Sequence, residues 1–489
     1  MRKLSFVLLL LCILFCSCRQ QHDKIDRTPR DTQSPGFVYV QGDHFMLDGK
    51  VWFPLMLNYK PSIATVNDTL RVIPAHYYQS PSLAHDFQRI ADMGFNSIRI
   101  CLDIIPEEKD FEALYRAIGQ MVDTAEQCQL KVMLLIKRPL EDKLILYTEG
   151  LLRHLADKSA LWAYDFFNEP LYFDEVELRD KMDAYQIVCG WRDMMNNYAP
   201  HQLFTIGFAE PIEVFEWDPT ILPVDFVEIH TYHPLRVASE MCWYSNVCTD
   251  RPWMIGETAL PADNDSVSYE YQRQFLPQSY RLARQYHAAG YGWWEYHECP
   301  DGLNFEAQFT GLVNQNNEYK PAVAEISRLS ALSIPTDDHR VPSNYYNMLG
   351  YNNIVLRGKV IDSQSGQGIK DAVVRGWTKD WIGMNTYTDE NGNFTLYSND
   401  FNIHFEVSAP GMNTIKFSRN NIKYHFTNAE AEKIWTFDNL PDQYLEYQSL
   451  DYKPFLDTDS LTLDFNPSHF NQYKIEGEMG VVKISKLVN

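Results

Sequence analysis

Along residues 37–333, short apolar runs alternate with longer stretches in which apolar residues recur every three or four positions. Runs of roughly four to eight apolar residues between turn signals read as buried parallel strands, and the longer stretches read as amphipathic helices. FVYVQGDHFMLDGKVWFPLMLNY opens the series. Its turn signals Gln41-Gly42-Asp43 and Asp48-Gly49 predict a small hairpin leading into a first strand, Val51–Asn58. In PSLAHDFQRIADM, Leu83, Phe87, Ile90 and Met93 share one helical face and Gly94 stops the helix. A strand over residues 96–100 ends near Arg99, a helix follows over Asp110–Cys128, and LKVMLLI is the third strand, Leu130–Ile136.

The alternation continues with a fourth strand, Trp162–Phe167, and its helix, Val176–Tyr198. Leu203–Gly207, Asp225–His230 and Trp253–Glu257 are the fifth, sixth and seventh strands. A long helix, Tyr269–Ala289, an eighth strand, Tyr291–Tyr296, and a closing helix, Lys320–Leu332, complete the set. Eight strands alternating with helices over about 290 residues predict an α/β fold, a (β/α)8 TIM barrel spanning residues 37–335.

The pattern changes near Pro335. Short strands separated by the turns Gln364–Gly368 and Asp389–Asn393, with no helix between them, predict a small C-terminal all-β sandwich over residues 350–425. Residues 426–489 have no clear period and form an extension of unassigned structure.

Composition narrows the function. The 489 residues carry a net charge of −22, which argues against nucleic acid, since phosphate backbones need clustered Lys and Arg. Aromatic residues make up 14%, and aromatic-rich clefts suit the apolar faces of sugars, although most such rings are simply core. Arg2-Lys3 and the apolar stretch FVLLLLCILF form a targeting signal over residues 1–18. Ser17 before Cys18 resembles a bacterial lipoprotein signal with Cys18 as the lipidated residue, so a lipid-anchored cell-envelope protein is expected, with plain secretion as the other course. Residues 19–36 are polar and aromatic-free, as a flexible tether should be. No cysteine pair has CxxC spacing, so no zinc site is expected; Cys242 and Cys248, close together in a predicted loop, could pair outside the cytoplasm.

Catalytic residues of such a barrel sit at the C-terminal ends of its strands. Those ends carry Arg99, Asn168-Glu169, His230 with Tyr232, Glu257 and Trp293-Trp294. Glu169 and Glu257 belong to strands on nearly opposite sides of the mouth and point over its centre. A separation of roughly 5–5.5 Å is what retaining glycoside hydrolysis requires of two carboxyl groups. Arg99 and Tyr232 could hold the Glu257 carboxylate, Asn168 could bind a sugar 2-OH, His230 could bond Glu169 or substrate, and Trp293 or Trp294 could form a platform. Strand alternation allows only one of the two tryptophans inward, and Trp294 is favoured. Blander readings stand beside these. Asn168 and Glu169 could cap the next helix, Arg99 could be a surface ion pair, and His230 a satisfied barrel histidine. Asp165, Glu228, Glu295 and Glu298 are competing acids; Asp165 could point into the barrel and need a partner there.

FMLDGKVWFPLMLNYKP, GFNSIRI, FFNEP, HTYHP, MIGE and GWWEY occur in this order. The set resembles a clan A glycoside hydrolase, nearest to family 5, the cellulase and mannanase family, over about residues 37–333. The resemblance implies Glu169 as acid/base, Glu257 as nucleophile, and Arg99, Asn168, His230, Tyr232 and a strand-eight tryptophan as helpers. It implies no metal and no organic cofactor. The chain departs from that family in carrying Ile136-Lys137-Arg138 where a His usually ends the third strand, and Thr258-Ala259 after the nucleophile. VLRGKVIDSQSGQGIKDAVVRG and TDENGNFTL resemble a carboxypeptidase regulatory-like β-sandwich, which implies a spacer or a docking surface for a partner. The expected activity is cleavage of a β-linked polysaccharide or oligosaccharide, mannan or β-glucan by family. A non-catalytic carbohydrate-binding lipoprotein on a degenerate barrel is the alternative, and a surface scaffold in which the sandwich matters is another.

Overall fold

The computed structural model describes residue 30 and residues 32–102, 104, 106–170, 180–209, 213–232, 238–336, 354–377, 383–398, 404–418, 423–426 and 475–487. Cys18, the signal and most of the tether lie outside the described residues, as do much of the extension and the start of the helix expected at Val176. Among the described residues no helix is long and apolar enough to cross a membrane.

Eight parallel strands close into a barrel: Leu55–Tyr59, Ser97–Cys101, Lys131–Leu135, Leu161–Asn168, Leu203–Phe208, Val227–His230, Trp253–Glu257 and Gly290–Trp293. The first strand starts later than its apolar run suggests. Lys50–Val51 pairs instead with His44–Leu47, which pairs with Val38–Gln41, and Pro54, lacking an N–H, separates this sheet from the barrel strand. The sheet covers the barrel floor. Phe45 packs edge-on against Trp162 at 5.3 Å and Phe226 at 5.0 Å, with Met56, Met133, Leu203 and Met254 around them. Arg30 is pinned beneath the same floor by Asp225 and the carbonyls of Ala199 and Gln202.

The helices form the outer layer. Leu83–Met93 is capped by Ser82, whose Oγ accepts from the His85 amide, and ends at Gly94 with φ of 107°. Two helices were not legible as such, Asp142–Leu155 and Ala238–Cys248. The second corrects the cysteine expectation. Six positions along a helix rise roughly 9 Å, too far for a disulfide, and Cys242 and Cys248 are both free. The closing helix is shorter than expected, Val323–Ile326 with a separate turn at Leu329–Ala331. Lys320 stays outside it because its buried ammonium donates to the carbonyls of Ala262 and Phe309.

The C-terminal part is two four-stranded sheets. Val360, Ala372, Val374, Phe394, Val407 and Ile484 fill the space between them. Ile475–Ile484, from the stretch without a sequence assignment, runs parallel to Ile354–Asp362 along its length. This unit is seated on the barrel. Lys181 donates to Asp218 at 2.9 Å and to the Ala409 carbonyl at 3.0 Å, and Tyr387 packs edge-on against Trp243 and at a tilt against Tyr244.

Candidate active site

The centre of the barrel mouth is organised by one cation. Arg99, fully buried on the second strand, donates to five side chains. Its Nη1 reaches Glu257 Oε1 at 2.5 Å, Asn58 Oδ1 at 2.9 Å and Cys101 Sγ at 3.6 Å. Its Nη2 reaches Asp165 Oδ2 at 2.6 Å and Asn168 Oδ1 at 2.8 Å. Glu228 Oε1 lies 3.4 Å from Nε. The surface ion-pair reading of Arg99 is excluded by its burial. Asp165 does point inward, where Arg99 and the amides of Phe167 and Gly207 hold it. Burial still outweighs these partners and pushes its carboxyl up to about 6.

The two glutamates converge. Glu169 directly follows the fourth strand with φ of 49°, a left-handed conformation uncommon for a non-glycine residue, and its amide donates to the Gly207 carbonyl at 2.6 Å. Glu169 Oε1 accepts from His230 Nδ1 at 2.8 Å. Glu257 Oε2 accepts from the Tyr232 hydroxyl at 2.5 Å. One oxygen of Glu169, one of Glu257 and a ring nitrogen of His230 all lie within 4.8 Å of one another. That trio could offer three ligand atoms to a metal ion, but Arg99 already supplies a positive charge against Glu257.

The electrostatics of Glu257 are a balance. Burial alone would raise its pKa, yet the charges of His230 and Arg99, with hydrogen bonds from Tyr232 and Arg99, hold it below the usual glutamate value. His230 is disfavoured as a cation by burial but pushed up to about 10 by Glu257, Glu169 and Glu228 around it. His230 therefore sits between the carboxylates, its Nδ1 2.8 Å from Glu169 and 3.6 Å from Glu257 and its Nε2 3.7 Å from Glu228, which ties it to the site residues.

The expected residues Arg99, Asn168, Glu169, His230, Tyr232 and Glu257 thus meet at one mouth. The two tryptophans part company there. Trp293 does not line the mouth: it is fully buried, packs on Phe275 in the helical layer at 6.2 Å and donates to the Thr310 carbonyl. Strand alternation sends it outward and leaves Trp294 half-buried at the opening. Among the competing acids, Glu228 lies beneath Arg99, Glu298 pairs with Lys320 at 2.7 Å away from the mouth, and Glu295 pairs with Lys60 at 3.1 Å. At the third strand, the Arg138 guanidinium lies over the Phe167 ring at 4.8 Å. Asn58, which donates to the carbonyls of Gly256 and Trp293 while accepting from Arg99, is a site residue beyond those expected from sequence. Its signal was available as the polar residue in the otherwise apolar run LMLNY.

No protein-family model matches the chain, and no curated protein matches it. Among solved structures it is similar to a GH5_18 enzyme from Streptomyces cattleya in complex with GlcNAc, at 16% identity and TM-score 0.46, over 64% of this chain and 85% of that one. An exo-beta-1,4-mannosidase from Opitutaceae bacterium strain TAV5 is similar at 14% identity and TM-score 0.47, over 68% of this chain and 64% of that one. A beta-1,4-mannanase from the sea hare Aplysia kurodai is similar at 14% identity and TM-score 0.41, over 62% and 99%. These neighbours are glycoside hydrolases, and the likeness is one of backbone architecture.

Proposed function

We propose that the chain is a retaining glycoside hydrolase acting on a β-linked polysaccharide or oligosaccharide, with Glu257 as nucleophile and Glu169 as acid/base. The observation that carries the reading is the approach of a Glu169 and a Glu257 oxygen to within 4.8 Å across the mouth. Inverting enzymes need roughly 6.5–9.5 Å between carboxyl groups to admit a water, whereas a retaining pair stands at about 5–5.5 Å. The division of roles follows the surroundings. Glu257 has both oxygens engaged by Arg99 and Tyr232, which keep it ionised and aimed. Glu169 is the more exposed of the two, and among the described residues the one hydrogen-bond partner of its carboxylate is His230 at one oxygen, which leaves the other for the departing group.

In the first step Glu257 attacks the anomeric carbon as the glycosidic C–O bond breaks, and Glu169 gives its proton to the leaving oxygen. In the second, Glu169 takes a proton from water, the water oxygen bonds to the anomeric carbon, and Glu257 departs. Asn168, oriented by Arg99, stands beside the reacting sugar and can meet its 2-OH. Mannan and β-glucan are the substrates to try first, and a reducing-sugar screen that includes xylan and galactans tests that choice. The protein works at the cell envelope, anchored through Cys18, and labelling with a radioactive fatty acid checks this against a Cys18→Ala variant.

The roles are tested with an aryl β-glycoside and sodium azide. Glu257→Ala should lower turnover roughly 10³-fold or more, and azide should restore it with inverted stereochemistry. Glu169→Ala with azide should instead yield the glycosyl azide of retained configuration. The opposite products would exchange the roles, and unaltered turnover in Glu257→Ala would end the proposal.

A further inference from the structure

One ion pair at the mouth has no part in the mechanism. Lys60 follows the first strand, and its Nζ lies 4.9 Å from the centre of the Trp294 ring. Among the described residues it is the only cation over that ring. Its side chain is 31% exposed. Glu295, the next residue after Trp294, is completely buried and lies 3.1 Å away. Among the described residues neither Glu295 oxygen has a well-aligned hydrogen bond, so the carboxylate acts on Lys60 mainly as a charge.

Resting on the glycosidase reading, we infer that Lys60 is a specificity-determining contact: it donates to a hydroxyl of the sugar lying on Trp294, and Glu295 cancels its charge so that the pocket selects uncharged sugars over uronic acids. A sugar resting on the part of the indole that Lys60 leaves open would bring a ring hydroxyl beside the ammonium, and a charged donor to a hydroxyl is a strong, directional contact. A sugar carboxylate would need a cation with charge to spare. Arg99 is committed to Glu257, Asp165 and Asn168, and His230 to Glu169. Lys60 is held by Glu295, and the Glu257 charge acts on Glu295 as well, so a further anion would enter a mouth already rich in carboxylates. Burial pushes the Glu295 carboxyl up to about 7 against the pull of Lys60, so the countercharge is complete only above neutrality.

The experiment compares aryl β-glycosides of neutral sugars with the matching glucuronide at pH 8, for the wild type, Lys60→Met and Glu295→Gln, with thermal melting of each. The wild type should prefer the neutral sugar by about 100-fold or more in kcat/KM. Lys60→Met should lose roughly 10- to 100-fold on the neutral sugar, mainly in KM, and its melting temperature should fall because buried Glu295 loses its partner. Glu295→Gln, which frees the Lys60 charge, should raise the glucuronide-to-neutral ratio at least about tenfold. Equal wild-type rates on both sugars, or an unchanged KM in Lys60→Met, would overturn the inference while leaving the glycosidase reading intact. Should no glycoside be cleaved at all, that reading fails by itself. Lys60 is then judged by calorimetric binding of neutral and uronic oligosaccharides to the Glu257→Gln variant, where equal affinities, or binding of neither, would reject it.

Discussion

At the scale of single residues, the site is a problem of keeping one glutamate ionised in a dry place. Moving a carboxylate out of water is costly unless charges and hydrogen bonds replace the lost solvation. Around Glu257 the replacements are Arg99, His230 and the Tyr232 hydroxyl, and together they overcome burial. Tyr232 is the one that can be removed without stranding a charge. In Tyr232→Phe the Glu257 carboxyl should move up, because a hydrogen bond to the ionised form has gone. The acid limb of kcat/KM, which under the proposed roles reports ionisation of Glu257 in the free protein, should then shift to higher pH. The depth of the defect should be roughly 10²-fold in kcat/KM at the optimum, in the range found for removing one donor from a site that stabilises charge. A pH–rate profile for the two proteins checks both. An acid limb that stays in place would mean that Tyr232 does not act through Glu257.

At the scale of elements, strands are held together at distances that only certain residues permit. Gly256 on the seventh strand is the clearest case, since a Cβ there would lie 1.9 Å from Glu228 Oε1 on the sixth. Gly256→Ala must therefore push Glu228 against Arg99, and overpacking of this kind costs about 1–3 kcal/mol. Chemical denaturation should show that loss, and the companion Gly256→Ala/Glu228→Ala should recover part of it; an unaltered midpoint in the single variant would contradict the crowding. The same close packing explains which elements could be read from sequence. The eight strands were legible because each is a short apolar run between turns, and Trp253–Glu257 was anticipated to the residue. The mouth residues were legible because strand ends are where polar groups interrupt such runs. Asp142–Leu155 is harder to read as a helix, although Leu144, Tyr147, Leu151 and Leu155 follow a helical period. Gly150 sits in its middle for a reason outside the segment: a Cβ there would meet the Tyr115 hydroxyl at 2.2 Å. Ala238–Cys248 hid for another reason. It is buried on two sides, so Met241, Cys242, Trp243 and Tyr244 follow one another with no polar face between them. Ile475–Ile484 owes its place to a partner strand more than a hundred residues earlier, and nothing local specifies that register.

At the scale of the whole molecule, the sandwich is a load on the barrel wall and not a bead on a string. Its Tyr387 ring covers Trp243 at 5.0 Å and Tyr244 at 4.8 Å. Thr414 donates to the Phe215 carbonyl at 2.6 Å, and the Gly411 amide donates to Asp218 at 2.9 Å. Asp218 and Lys181 are both almost fully buried, and the Ala409 carbonyl takes a second proton of the lysine. These contacts lead back toward the mouth. Trp217, beside Asp218, packs edge-on against Phe167 at 5.4 Å, and Phe167 precedes Asn168 and Glu169 in the fourth strand. Two units joined this way should melt together. Calorimetry of the full chain should show one transition, with Lys181→Met lowering it by an amount corresponding to roughly 3–5 kcal/mol, because Asp218 is left as an unpaired buried charge. A chain ending at Thr336 should melt lower still, since it bares Trp243 and Tyr244, and its kcat should fall because the wall behind Phe167 has lost its outer support. Two separate transitions in the full chain, with Lys181→Met altering neither, would mean that the interface carries no free energy and that the sandwich leaves the fourth strand alone.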